Sequence, residues 1–167
     1  MYNCKGGNIE YPTRNIEYRT SNRGVKTDDR RRRTFESIIE VKMEQAIVIK
    51  AGGKDFESEL NESVTGKAIC GALPIRAKAQ RWGGEIYFSI PVSCELEEDS
   101  RDVLEEGELG YWPPGRAFCI FFGPTPASSG DEIRAASAVN IVGRMKADLS
   151  GLWDIPDGAE VCIEKVL

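Results

Sequence analysis

The residues best able to do chemistry in this chain crowd into two stretches, GELGYWPPGRAFCIFFGPTP (107–126) and RWGGEIYFSIPV (81–92). In the first, Tyr111-Trp112-Pro113-Pro114 sets two large aromatic rings and two rigid prolines in one turn. Such a turn can present a preorganised apolar surface at low entropic cost. The same rings could equally plug the end of a core, because large aromatics are mostly buried. Arg116, directly after the turn, can donate to an anion or a carbonyl, or simply sit in solvent. In the second stretch Trp82, Tyr87 and Phe88 offer an opposing wall, although strand alternation sends Tyr87 and Phe88 to opposite faces and only one can belong to it. Glu85 is the one acid in this aromatic surround, and burial there would raise its pKa; solvated, it would do nothing of the kind. The candidate ligand-binding residues are therefore Trp82, Glu85, Phe88, Tyr111, Trp112, Arg116 and Phe118.

Much other chemistry is excluded. The chain contains no histidine, which removes imidazole general acid/base catalysis, Ser-His and Cys-His nucleophile pairs and every His-containing metal site. Its five cysteines are scattered without a C-x-x-C, so neither a zinc cluster nor a disulfide framework is expected, and Cys119 and Cys162 read as buried reduced thiols. The acidic stretch 95–108 lacks the alternating pattern of a calcium loop and reads as a solvated hairpin edge. Ala51-Gly52-Gly53-Lys54 lacks the spacing of a phosphate-binding loop. No metal and no cofactor are expected.

The elements that must position these residues are mostly strands. With 167 residues the chain has the length of a single domain, and no apolar run is long enough to span a membrane. Charge divides it: residues 1–33 hold nine Lys/Arg against four Asp/Glu, leaving 13 against 23 for residues 34–167. Residues 1–37, poor in aliphatic side chains and containing the Arg30–Arg33 run, read as a disordered basic arm, and residues 38–167 as the folded domain. The arm could tether nucleic acid, but it lacks interleaved aromatics and its host domain is acidic, so no nucleic-acid partner is expected. Strands are expected at Ile38–Met43, Ala46–Lys50, Asp55–Leu60, within 81–92, at Ala117–Phe122, Val139–Met145 and Glu160–Leu167. One helix is expected after Asn61 as N-cap, carrying Val64, Ala68, Ile69, Ala72 and Leu73 on one face and stopped by Pro74, with a helical turn at 131–136. Short strands with frequent Gly/Pro punctuation predict a mainly β, closed or nearly closed barrel capped by one or two short helices. The expected setting is a cytoplasmic monomer.

Four strings then resemble one family: GALP (71–74), RWGGEIYFSIP (81–91), GELGYWPPGRAFCIFFGPTP (107–126) and AVNIVGRM (138–145). They are similar to the small prokaryotic cyclophilin-like domains over roughly residues 44–167. The resemblance implies a largely antiparallel closed barrel of about eight strands capped by helices. It also raises peptidyl-prolyl isomerisation, the activity of cyclophilins proper. Their catalytic arginine, in an F-H-R-V-I-P string, falls at Phe88 when Ile90-Pro91 is matched to its I-P. Their G-S-Q-F-F-I-C string falls on Gly115–Phe121, with Ala117 at the active-site glutamine and Cys119 at the second, proline-binding phenylalanine. The arginine, the glutamine and the pocket histidine are thus all absent. The expected function is a binding module for a small apolar ligand or a proline-containing peptide beside the YWPPG turn. The alternative is a prolyl isomerase with a rebuilt donor set, in which Arg116 or Arg81 replaces the lost arginine.

Overall fold

The computed structural model describes residues 45–167 and a two-residue strand, Tyr2–Asn3. The rest of the basic arm, its Arg30–Arg33 run and the expected strand at Ile38–Met43 lie outside the described residues. Strand β1 (Tyr2–Asn3) runs parallel to β7 (Val92–Ser93). The chain then forms a hairpin of β2 (Gln45–Ala51) and β3 (Lys54–Leu60). Its two-residue connection, Gly52-Gly53, has φ of +57° and +76°. That conformation matches the twist of the flanking strands and is open to glycine without steric penalty.

Helix α1 (Val64–Ala72) follows. Its N-cap is Ser63, whose Oγ accepts from the Gly66 N–H at 3.0 Å. The expected cap, Asn61, stands one step back: its Oδ1 accepts from the Ser63 N–H and hydroxyl, while its Nδ2 donates to the Ile141 carbonyl. The buried face is Thr65, Gly66, Ile69 and Cys70, and Val64 is exposed. The buried face is set by how the helix packs on the sheet, which turns Thr65 and Gly66 inward in place of Val64.

After the helix come β4 (Ile75–Lys78), β5 (Gln80–Trp82), β6 (Glu85–Ser89), β7, β8 (Arg101–Leu104) and β9 (Glu108–Trp112). A single 3-10 turn, Pro113–Gly115, leads into β10 (Ala117–Phe121). Then come β11 (Ile133–Met145), a second 3-10 turn (Ser150–Asp154) and β12 (Glu160–Lys165). The helical turn expected at 131–136 is instead the start of β11, where Ile133 and Arg134 pair with Leu104 and Val103.

Ten of these strands form one antiparallel sheet in the order β4-β12-β2-β3-β11-β9-β10-β6-β5, with β8 alongside β11. The expectation of a closed barrel of about eight strands is corrected here: no ladder joins the end strands β4 and β5. These two are consecutive in the chain, separated by Ala79 alone. Ala79 gives its N–H to Ala159 and accepts from Gly158, so the backbone turns from β12 on one side to β6 on the other instead of pairing across.

Alternation splits the side chains between two cores. One face of β2, β3, β4, β6, β9, β10, β11 and β12 contributes to the main core, which includes Ile47, Ile49, Phe88, Tyr111, Phe118, Ile120 and Ile163 together with Ile69 of α1. The opposite face of β9 and β10 carries a smaller cluster. There Ala117, Cys119 and Phe121 are covered by Leu104, Ile133, Ala135 and Val139. Cys70, Cys119 and Cys162 are free thiols, but Cys94 is disulfide-bonded. Cys119 and Cys162 are reduced as expected, whereas the Cys94 bond departs from the expectation of no disulfide framework, since sequence spacing carries no record of which cysteines meet.

Candidate functional site

The hairpin β5–β6 places its last and first residues, Trp82 and Glu85, directly opposite each other across Gly83-Gly84. Gly83 sits at φ +62°, and a Cβ on Gly84 would fall 2.3 Å from the Gly123 backbone. The Gly-Gly pair is thus required both for the tight turn and for the seating of the turn against the 123–125 loop. Alternation carries Glu85 and Tyr87 to the outer face of β6, and Ile86 and Phe88 to the main core.

Next to this hairpin, β10 sets Cys119 opposite Tyr87, and β9 sets Trp112 opposite Ala117. The Trp112 ring is held at both edges. Its Nε1 donates to Ser137 Oγ at 2.7 Å, and its six-membered ring lies where a side chain on Gly115 would be, within 2.7 Å of that ideal Cβ. The roof comes from β11, whose register to β8 slips between Arg134 and Val139. Such a bulge redirects side chains locally, and here it lowers Ala135 and Val139 onto the outer face with Ala136 at the rim.

The result is a cavity of about 150 Å3 lined by Trp82, Glu85, Tyr87, Trp112 and the small side chains of β11. Its distinctive group is Glu85, only 7% exposed. Burial pushes its carboxyl above the ordinary value, a shift opposed only in part by a hydrogen bond with Cys119. The Cys119 thiol is pushed well up by its own burial and by the neighbouring acid. A thiol so held is a poor nucleophile, since reactivity needs the thiolate. Among the described residues no Lys or Arg lines this cavity.

The structure separates the seven candidate residues. Trp82, Glu85 and Trp112 come together in the cavity wall. Phe88 and Phe118 stack in the main core, with ring centroids 5.5 Å apart. Tyr111 is fully buried there too, its hydroxyl donating to the Val92 carbonyl at 2.8 Å and accepting from the Cys94 N–H. Arg116 is exposed in the left-handed conformation at φ +47°, where its N–H closes the 3-10 turn on Pro113, and it does not line the cavity. Arg81 is committed elsewhere: its Nη1 donates to the Trp153 and Ile155 carbonyls, and its guanidinium lies over the rings of Phe122 and Trp153. Tyr87 joins the wall although it was not among the seven. The two-residue alternation with Glu85 was the signal that could have found it.

Two acids of the 95–108 stretch are structural, not solvated. Glu97 accepts from the Thr65 N–H and hydroxyl at the start of α1, and Glu108, 5% exposed, pairs with Arg101. A wider depression of about 600 Å3 lies between the Gly52-Gly53 turn, β4 and β12. Among its cations, Lys50 and Lys54 are paired with Glu164 and Asp154, and Arg76 and Lys78 beside Asp55 and Glu160 complete a lining of mixed charge. Among the described residues no cluster of three or more acids and cysteines could hold a metal ion, and no helix is long and apolar enough to cross a membrane.

Comparison with known proteins gives the family. The family described as Cyclophilin-like matches residues 45–164. The solution structure of the hypothetical protein AF2241 from Archaeoglobus fulgidus is 45% identical to this chain. It covers 76% of this chain and 98% of its own, with a TM-score of 0.66. No curated protein matches the chain.

Proposed function

This chain belongs to the cyclophilin-like family, and from that premise we propose that it is a binding module. Its ligand is a small apolar group, free or carried as a side chain on a peptide (proline included), seated in the cavity between Trp82, Tyr87 and Trp112. The observation that carries the reading is that three aromatic side chains line a cavity outside the main core. Aromatic side chains left in a concave, half-buried position are what small-ligand sites are built from. A space of about 150 Å3 accepts a group the size of a benzene ring, which rules out all but one small ring or branched side chain at a time.

The fold does not by itself bring isomerase activity. Rotation about the X-Pro bond crosses about 18–20 kcal/mol and calls for donors aimed at the twisting amide. Among the described residues the cavity wall offers no arginine, and Arg81 is spent on backbone carbonyls. The binding reading therefore stands ahead of catalysis.

A titration of labelled protein with a panel of X-Pro peptides and small cyclic apolar compounds tests both. Amide and indole shifts confined to Trp82, Tyr87, Trp112 and Ala136, and lost in Ala136→Phe, are expected. Silence at millimolar ligand would overturn the binding reading. Exchange spectra on the same peptides should show no enhanced cis-trans rate, and enhancement would restore the isomerase.

A further inference from the structure

We infer that this cavity is an aromatic cage for an organic cation, and that the group it takes is a methylated ammonium. The inference rests on the binding reading above for the site, and replaces its neutral apolar ligand with a cation sheathed in methyl groups.

The lining is the first argument. Trp82, Tyr87 and Trp112 bring three π-systems to one small space, and Glu85 adds a carboxyl among them. Ring faces carry negative charge, so several rings around one site attract a cation placed between them. The fixed pose of Trp112, held between Ser137 and Gly115, means that this wall need not be ordered when the ligand arrives.

The acid is the second. Glu85 is buried with no Lys or Arg among the described residues of the cavity wall, and burial without a counter-charge disfavours the ionised carboxyl. A neutral apolar ligand would seal it in further. A cation bound beside it supplies that counter-charge, favours loss of the carboxyl proton to solvent and turns the carboxylate into a binding group.

Size and hydration choose among cations. A bare ammonium or guanidinium brings several N–H donors that must find acceptors when desolvated. Around the carboxyl the walls are aromatic rings and the side chains of Ala135, Ala136 and Val139, which cannot accept them all. A methylated ammonium carries its charge behind methyl groups, has few or no N–H donors, and is close in size to the group this volume admits. The body around the site also favours cations, since residues 45–167 hold 12 Lys/Arg against 20 Asp/Glu.

The test compares choline with 3,3-dimethylbutan-1-ol, its uncharged carbon isostere, by tryptophan fluorescence and indole chemical shifts on the full chain. Choline should bind at least about tenfold more tightly, a difference of about 1.4 kcal/mol. Glu85→Gln should erase that preference, and Trp112→Leu should weaken choline more than the isostere. Equal binding of the two would overturn the cation while leaving the apolar reading in place. Binding of neither would overturn the cage, and the peptide and cyclic-compound titration then decides the apolar reading separately.

Discussion

Glu85 is the residue whose state most depends on its surroundings. Burial among aromatic rings disfavours its ionised form, a shift opposed in part by the Cys119 thiol as hydrogen-bond partner. Its folded pKa lies above its ordinary value of 4.5, so the sign of its effect on stability follows from linkage. Below that ordinary value both folded and unfolded chains are protonated and the group contributes nothing. As pH rises through it, the unfolded chain ionises freely while the folded chain resists, and the folded state is progressively disfavoured until the raised pKa is passed. Glu85→Gln is therefore expected to melt higher than the parent at pH 7 and to lose that advantage by pH 4, as thermal unfolding at the two pH values would show. Tyr111 makes the contrasting case at this scale. Its ring and hydroxyl are both satisfied inside the main core, which makes it a packing residue of the same sequence turn that gives Trp112 to the cavity.

At the scale of elements, Asn140 is the joint between three of them. From β11 its Nδ2 donates to Thr65 Oγ1 of α1 and to the Glu95 carbonyl, and its Oδ1 accepts from the Glu97 N–H. Glu97 in turn accepts from the first turn of the helix, where a carboxylate also meets the positive end of the helix dipole. Asn140 is fully buried, so removing its amide strands several of these groups at once. Asn140→Ala is expected to lower stability by about 1–3 kcal/mol, with faster amide exchange at the start of α1 as the local signature. Much of this element level was legible in the sequence. β-rich runs marked β2 and β6, alternation marked β3, a continuous apolar run marked β10, and Pro74 marked the end of α1. The start of β11 was misread as a helical turn because Ala135-Ala136 is a good helical pair locally, and only pairing with β8 holds it extended.

Across the whole molecule, Arg81 shows how a remote contact decides a role. Its neighbours in sequence are a strand and a Gly-Gly turn, but its guanidinium reaches the segment 153–155, more than seventy residues away. There it lies against Phe122 and Trp153, themselves packed edge to face at 4.8 Å. Arg81→Ala should cost about 2–3 kcal/mol by loss of charge-assisted hydrogen bonds, measured by denaturant unfolding. Ligand affinity at the cavity should not change, which separates this structural arginine from a catalytic one.

The sequence by itself determined the family, the mainly β class, the absence of imidazole chemistry and the gathering of aromatic residues into 81–92 and 107–126. These follow from residue types, spacing and alternation, which are local properties of the chain. Tertiary structure alone decided which of those aromatics share a wall. Phe88, Tyr111 and Phe118 turn to one face of the sheet, whereas Trp82, Tyr87 and Trp112 turn to the other. The physical reason is that alternation distributes side chains between two faces without saying which face is roofed. The roof over the second face is the bulged start of β11, a partner some twenty residues beyond the YWPPG turn, and its position is set by pairing with β8 and not by any local signal.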